Sequence, residues 1–330
     1  MTLKKLSAFL TALLAAGSLY AQSTHIDEIW VDTRATFHQQ TTEGKYSSQF
    51  QGDYLNLHVK GQLTDRLSFR IRQRFTKPVS ADNPFNATDF LWLRWQFAPQ
   101  WAVIGGKHPI WIGGYEIDSA PIDVYYYGEF SNNLHQVYDF GLTLAYSPAE
   151  GQDIHLQFAP SPIHGGVKGN YSYNLYWNGH ITSFWKTIWS YNLVDDQYHR
   201  KMNYLVLGNK FLMGPLVVDV DLIDRVGMGQ KNLLADWSVI GKAILTLGKW
   251  NLCTKVGYET NAEGNVDADG LSYDTLLPAG TRYLYAGAGV EFFPLGNENL
   301  RLHAVYFRDN FAHVNNVDLG LTWRFTAYKR

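Results

Sequence analysis

The sequence predicts an all-β fold, a transmembrane, antiparallel, up-and-down β-barrel of about sixteen strands. Apolar and polar residues alternate in many short segments, and aromatic residues make up 15% of the chain, with 21 Tyr and 11 Trp. After the N-terminal segment, no long apolar run remains. In a membrane barrel alternate side chains face lipid, and aromatic residues collect in two bands at the membrane interfaces. A soluble domain of this length would instead bury its rings in one core.

The first 21 residues are predicted to be a signal peptide that is removed on secretion. Lys4 and Lys5 precede an apolar run that ends at Leu19, and a small-residue cleavage site follows. The run is shorter than the roughly 20 apolar residues that a membrane-spanning helix needs. We therefore expect residues 22–330 to form a single barrel domain.

Charge and cysteine content exclude several classes of protein. Removal of Lys4 and Lys5 takes the formal net charge from −2 to −4, and this mild acidity gives no reason to expect a nucleic acid partner. The one cysteine, Cys253, has no second cysteine for an internal disulfide, and the chain lacks the paired Cys and His spacing of a zinc site. We expect no metal and no cofactor.

The clearest alternation lies in two neighbouring segments, Tyr54 to Leu63 and Leu67 to Phe75. In both, apolar residues occupy one face and polar residues the other, as a strand between lipid and water requires. Three polar residues, 64–66, separate the two segments, so they are predicted to form a tight hairpin.

The same alternation predicts strands in sixteen places. They are residues 29–38, 50–63, 67–76, 90–97, 101–108, 137–147, 152–159, 173–181, 183–193, 201–211, 215–226, 234–247, 250–260, 282–293, 299–309 and 315–325. Short and long connections alternate between them, as expected for short periplasmic turns and longer external loops. Fourteen or eighteen strands would fit the same pattern. A secreted β-sandwich or β-propeller also alternates, but the Leu, Trp, Phe and Tyr on nearly every apolar face favour the membrane barrel.

The last predicted strand resembles the terminal strand that outer-membrane barrels present to their assembly machinery. Its apolar face ends in Trp323 and Phe325, and residues 326–330 follow it. We therefore expect the barrel-assembly machinery and the lipid bilayer of the outer membrane as partners.

A ladder of three arginines is the main candidate for function. Arg70, Arg72 and Arg74 occupy alternate positions of one strand, so their side chains point the same way at intervals of about 7 Å. Three further basic residues are predicted on this face in neighbouring strands: Lys60, Arg94 and Lys107. A pore wall of this kind offers an anion successive weak sites. The alternative is a solvated face that loop carboxylates neutralise.

The long segment between Pro109 and His135 is the third external loop. We expect it to fold into the barrel, where its carboxylates, chiefly Glu116, Asp118 and Asp123, would face the basic wall and form a constriction with a transverse field. The alternative is an ordinary surface loop.

The segment from Asp53 to Arg70, together with Gly106-Lys107-His108-Pro109 and Gly113-Gly114-Tyr115-Glu116, resembles the phosphate-selective porin O/P family. The resemblance is strongest over about the first third of the mature chain. It implies a sixteen-stranded, trimeric outer-membrane porin with an inward third loop, in which Arg70, Arg72 and Arg74 match the family's arginine ladder. The lysine cluster of the family's phosphate specialists is not identifiable in the sequence.

We therefore expect passive diffusion of small hydrophilic solutes with a preference for anions, and we leave phosphate specificity open. Two alternatives belong to other classes of protein. One is a non-conducting structural or adhesion barrel. The other is an outer-membrane lipid hydrolase, but no outward-facing Ser and His pair and no Gly-x-Ser-x-Gly motif supports an enzyme.

Overall fold

The structure, a computed structural model, describes residues 24–80, 83–134, 137–310 and 313–330. The predicted signal peptide and His135 lie outside the described residues. Within the described ranges sixteen antiparallel strands pair in chain order, and β16 pairs with β1 to close the barrel. The predicted fold class and strand number are confirmed.

The strand bounds are as follows: β1 His25–Thr42, β2 Lys45–Thr64, β3 Leu67–Arg74, β4 Thr88–Ala98, β5 Trp101–Pro109, β6 Tyr138–Ala149, β7 Gln152–Pro160, β8 Tyr171–His180, β9 Trp185–Asp195, β10 Lys201–Met213, β11 Leu216–Gly227, β12 Asp236–Leu247, β13 Trp250–Asn261, β14 Arg282–Phe292, β15 Leu300–Asp309 and β16 Val314–Lys329. Between β5 and β6 lie two short helices, α1 Tyr115–Asp118 and α2 Glu129–Asn133, and a 3-10 turn at Pro121–Asp123. None of the helices in the described ranges has the length and apolar character needed to cross a membrane.

The first hairpin is longer than predicted. β1 runs to Thr42 and β2 begins at Lys45, so only Glu43 and Gly44 form the turn. Both turn residues have positive φ, 47° and 78°, which suits the twist of a two-residue hairpin. The sequence hides this extension because its residues near the turn are polar on both faces, so the alternation stops several residues early.

The wall is apolar outside and polar inside. On β7 the side chain of Leu156 is 58% exposed in the absence of lipid, whereas the neighbouring Gln157 points inward and is 2% exposed. The next strand repeats the pattern with outward Leu175 and inward Asn174. This inverted polarity is the arrangement that a barrel in lipid requires.

Most connections at one end of the barrel are short turns, and the longest connections, those after β3, β5, β7 and β13, lie at the other end. The barrel therefore has a turn end and a loop end. The segment from 110 to 134, between β5 and β6, is loop L3, and the segment from 262 to 281, between β13 and β14, is loop L7. Both loops contribute to the core inside the barrel, together with inward residues of the strands, and they position the candidate site.

Candidate functional site: the barrel lumen

Loop L3 lies inside the barrel. The backbone N–H groups of Tyr115 and Glu116 each donate to the carboxylate of Asp221 on β11, both at 2.8 Å. Further along the loop, the Val124 carbonyl accepts a hydrogen bond of 2.8 Å from Arg34 on β1. Because β1 and β11 lie far apart around the barrel, a segment that reaches both must cross the interior.

A strand carboxylate holds the second half of L3. Glu259 on β13 accepts hydrogen bonds from the backbone N–H groups of Glu129 and Phe130, at 2.6 and 2.9 Å. These two donors open helix α2, where the first N–H groups have no partner within the helix. An anion at this position satisfies them, so Glu259 fixes where α2 sits.

Loops L3 and L7 share one hydrophobic core inside the barrel. Phe130 of L3 is fully buried, and Asn133 donates to the Leu276 carbonyl of L7 at 2.8 Å. Six core residues represent the three parts that meet here: Phe130 and Leu134 from L3, Leu276 and Leu277 from L7, and Tyr204 and Val206 from β10. The core fills part of the lumen, so the open space lies to one side of it.

A buried ion pair ties L7 to the wall. Arg225 on β11 donates to the Asp274 carboxylate of L7 at 2.7 Å, and both side chains are inaccessible to solvent. Arg225 also donates to Ser238 on β12 at 2.6 Å. Such a pair stabilises the fold only while both partners are present, because one buried charge alone is costly.

The acidic residues of L3 face a different wall from the one predicted. Glu116 pairs with Lys255 on β13 at 2.7 Å, and Asp123 pairs with Arg301 on β15 at 3.0 Å and with Arg324 on β16 at 2.7 Å. They therefore do not face the arginines of β3 to form the expected transverse field. The anchors at Asp221 and Glu259 turn this face of L3 toward β10–β16, and no sequence pattern reveals that rotation.

Asp118 is the third predicted loop carboxylate. Burial raises its pKa, and the nearby charge of Lys210 opposes that rise.

The arginine ladder is present on the inner wall, but its rungs differ in their partners. Arg72 donates to the buried carboxylate of Asp89 on β4 at 2.9 Å, and Arg74 lies 3.6 Å from the same carboxylate. Arg70 forms no ion pair with any residue that the structure describes. Lys60, opposite Arg70 on β2, pairs with Glu28 at 2.7 Å.

Arg94 joins this group, and Lys107 does not. Arg94 faces inward on β4, opposite Ser68 on β3, and donates a long hydrogen bond of 3.5 Å to Gln96. Lys107 pairs across the sheet with Phe140, which is exposed on the outer face. Its ammonium donates to the Phe85 carbonyl of the β3–β4 loop at 2.9 Å.

The prediction that Lys107 extends the strip is therefore wrong. Gly106 and His108 take the inward positions of β5, and Gly106 has a φ of 115°, an irregularity that the sequence does not reveal. We call the remaining five residues the basic wall: Lys60, Arg70, Arg72, Arg74 and Arg94.

A second set of cations, which the sequence analysis missed, crosses the five strands β9 to β13 near the turn end. Four lysines on neighbouring strands lie opposite one another in register, with Asp219 between Lys210 and Lys242. They are Lys186, Lys210, Lys242 and Lys255. Lys210 lies 3.5 Å from Asp219. We call these four the lysine row. Each occupies an inward position of its strand. The two-residue turn between β12 and β13 places Lys242 opposite Lys255, but the whole row becomes visible only with the registers of all five strands.

The lysine row borders an open pocket beneath L3. The pocket has a volume of about 230 Å³, and it is lined by Lys242, Lys255, Arg301 and Arg324 together with Asp123 and Glu291. The lumen thus carries basic side chains on two sides: the basic wall on β2–β4, and the lysine row with Arg301 and Arg324 on β9–β16.

Comparisons with known proteins agree with this geometry. The sequence profile of the family described as phosphate-selective porin O and P matches residues 27–183. The comparison with curated proteins finds no match.

Solved structures are similar over nearly the whole chain. The trimer form of OmpT, an outer membrane protein of Vibrio cholerae, has a TM-score of 0.62 at 10% identity, covering 92% of this chain and all of its own. Salmonella typhi OmpF, in a complex with daunomycin, has a TM-score of 0.61 at 12% identity, covering 91% of this chain and 98% of its own. At these identities the likeness shows the fold. The chain therefore has the fold of outer-membrane porins, and its residues 27–183 match the phosphate-selective porin O and P family that the sequence resembles.

Proposed function

We propose that the protein is an outer-membrane porin through which small hydrophilic solutes diffuse passively, with a preference for anions. The observation that carries this proposal is that Arg70 faces the lumen without a carboxylate partner among the described residues. It lies on the inner wall between Lys60 and Trp92 in register, and among the described residues no carboxylate pairs with it. A cation in that position attracts an anion without offering it a deep, closed site.

The charges of the basic wall support the preference. The five cations of the basic wall pair with only two carboxylates, Glu28 and Asp89. The lysine row continues the positive lining toward the turn end, and one strand carboxylate, Asp219, lies between two of its members. An anion that crosses the barrel would thus meet several weakly attractive groups in succession, which is the condition for both selectivity and release.

We propose a channel and not an enzyme, and we propose that it works in the outer membrane after removal of residues 1–21. Its partners would be the bilayer, the barrel-assembly machinery, two further copies of the chain in a homotrimer, and small solutes or anions. The trimer form of the similar Vibrio cholerae protein supports the homotrimer. Phosphate preference rests on the family match alone.

A non-conducting barrel is the second candidate, because the shared core of L3 and L7 fills part of the lumen. Swelling of liposomes that contain the purified protein separates the two. We expect uptake that falls with solute size and that is faster for a small organic anion than for a cation of equal size. No swelling with any solute would establish the plugged barrel, and equal rates for both charges would contradict the anion preference.

A further inference from the structure

The outer half of β4 places an apolar residue on the inner wall outside the core that L3 and L7 share. Phe90 points inward, opposite Arg72 on β3, yet it is a phenyl ring in a wall that faces water. It is only 7% exposed, so something covers it. The neighbouring outward residues, Leu91 and Leu93, already supply the lipid-facing side, so the need for an apolar outer surface does not explain Phe90.

Phe90 is covered by the Tyr138 ring, with 5.5 Å between ring centres, and by two rungs of the arginine ladder. The guanidinium carbon of Arg72 lies 4.0 Å from the centre of the Phe90 ring, and that of Arg70 lies 4.5 Å from it. A guanidinium over the face of an aromatic ring is attracted by the ring's negative charge distribution. The ring therefore holds both groups from one side. Arg70 is partly exposed and keeps a side open to a solute, whereas Tyr138 and Asp89 enclose Arg72.

The same kind of contact recurs at two further inward arginines. Arg74 and Arg34 lie over the Tyr54 ring on β2, with centre distances of 5.4 and 4.8 Å. Arg70 also lies 5.8 Å from the Trp30 ring on β1. Three rings from three different strands thus contact every rung of the ladder, a recurrence that packing on one strand does not explain.

We propose that Phe90, Tyr54 and Trp30 are positioning residues for the arginine ladder and set the anion preference of the pore through it. An unsupported arginine in a water-filled lumen samples many rotamers, and ordering it on contact with an anion reduces the affinity. A ring face restricts that motion in advance and excludes water from one side of the guanidinium, which strengthens its field toward the solute. This inference rests on the proposed function.

The test compares Phe90→Leu with Phe90→Tyr in planar bilayers under a salt gradient. Leu keeps the apolar volume and the net charge but removes the ring, whereas Tyr keeps the ring. We expect Phe90→Leu to lower the permeability ratio of anion to cation by about two- to fivefold and Phe90→Tyr to preserve it. The matched control is Phe97→Leu, an outward residue of the same strand, which should leave the ratio unchanged.

Two outcomes would overturn the inference: an unchanged ratio in Phe90→Leu, or an equal loss in Phe90→Leu and Phe90→Tyr, which would indicate packing alone. If Phe90→Leu does not fold, Tyr54→Leu against Tyr54→Phe makes the same comparison at Arg34 and Arg74. Arg70→Gln separates this inference from the proposed function. If the permeability ratio falls in Arg70→Gln but not in Phe90→Leu, only the role of the rings is contradicted. If it stays unchanged in Arg70→Gln, the ladder does not set the anion preference and the proposed function loses its main support.

Discussion

Arg72 and Asp89 form a buried ion pair on the inner wall of the barrel, with 2.9 Å between guanidinium nitrogen and carboxylate oxygen and with 5% and 1% of the residues exposed. Asp89 occupies a bulge in β4, where the pairing with β3 shifts between Arg72 and Gln73. The bulge brings the carboxylate within reach of Arg74 as well. The Asp89 carboxylate thus neutralises part of the arginine ladder. Of the three ladder arginines, only Arg70 has no carboxylate partner among the described residues.

Replacing Asp89 by Asn should raise the anion preference of the pore, because Arg72 and Arg74 lose the carboxylate that they share. The same change should lower the free energy of unfolding by about 3 kcal/mol, since a buried guanidinium loses its partner. Reversal potentials and thermal unfolding of the detergent-solubilised protein measure the two effects. Asp65→Asn, in the exposed turn before β3, is the matched control. A fall in anion preference would show that Asp89 does not screen the ladder.

Replacing Glu259 by Gln should loosen loop L3. The carboxylate accepts from the N–H groups of Glu129 and Phe130 with separate oxygens, and an amide offers one acceptor oxygen in place of two. The loss of a hydrogen bond to a charged group should cost about 1.5–3 kcal/mol. We expect larger current fluctuations in single-channel recordings. The control is Glu263→Gln, an exposed residue of L7, which should behave like the unchanged protein. If current fluctuations in Glu259→Gln do not increase, contacts other than Glu259 hold L3 in place.

Truncation of Phe130 to Ala should destabilise the internal core more than truncation of an outward ring. Phe130 is fully buried and packs edge-on against Tyr204, with 5.6 Å between ring centres. The cavity left behind should cost about 3–5 kcal/mol. Denaturant unfolding compares it with Phe97→Ala, a lipid-facing residue. Equal losses for the two variants would contradict a packed core inside the barrel.

Within the lysine row, Lys242 and Lys255 should respond differently to replacement by Gln. Lys255 neutralises Glu116, whereas Lys242 forms no ion pair among the described residues. Lys242→Gln should reduce anion preference without a change in stability, and Lys255→Gln should also weaken the hold on L3. The exposed turn residue Lys249, changed to Gln, serves as the control. Identical behaviour of Lys242→Gln and this control would exclude the row from the path of the ions.

The sequence predicts the wall well and the interior poorly, for a physical reason. Each strand alternates between lipid and water, so the bounds of segments such as Trp250–Asn261 are visible in the sequence itself. Contacts across the lumen obey no such period. Nothing local to Glu116 shows that it meets Lys255, and nothing local to Asp123 shows that it meets Arg301. Lys107 was misplaced because its register depends on the irregular backbone at Gly106.

The most direct test of the account is the reversal potential of the purified protein in a planar bilayer with potassium chloride at two concentrations. A water-filled lumen lined by the basic wall should conduct in discrete steps, and the sign of its reversal potential should show that chloride permeates faster than potassium. The reversal potential should move toward zero in Arg70→Gln. It should stay unchanged in Arg66→Gln, a variant at the exposed turn. The absence of conductance, or a reversal potential on the potassium side, would contradict it.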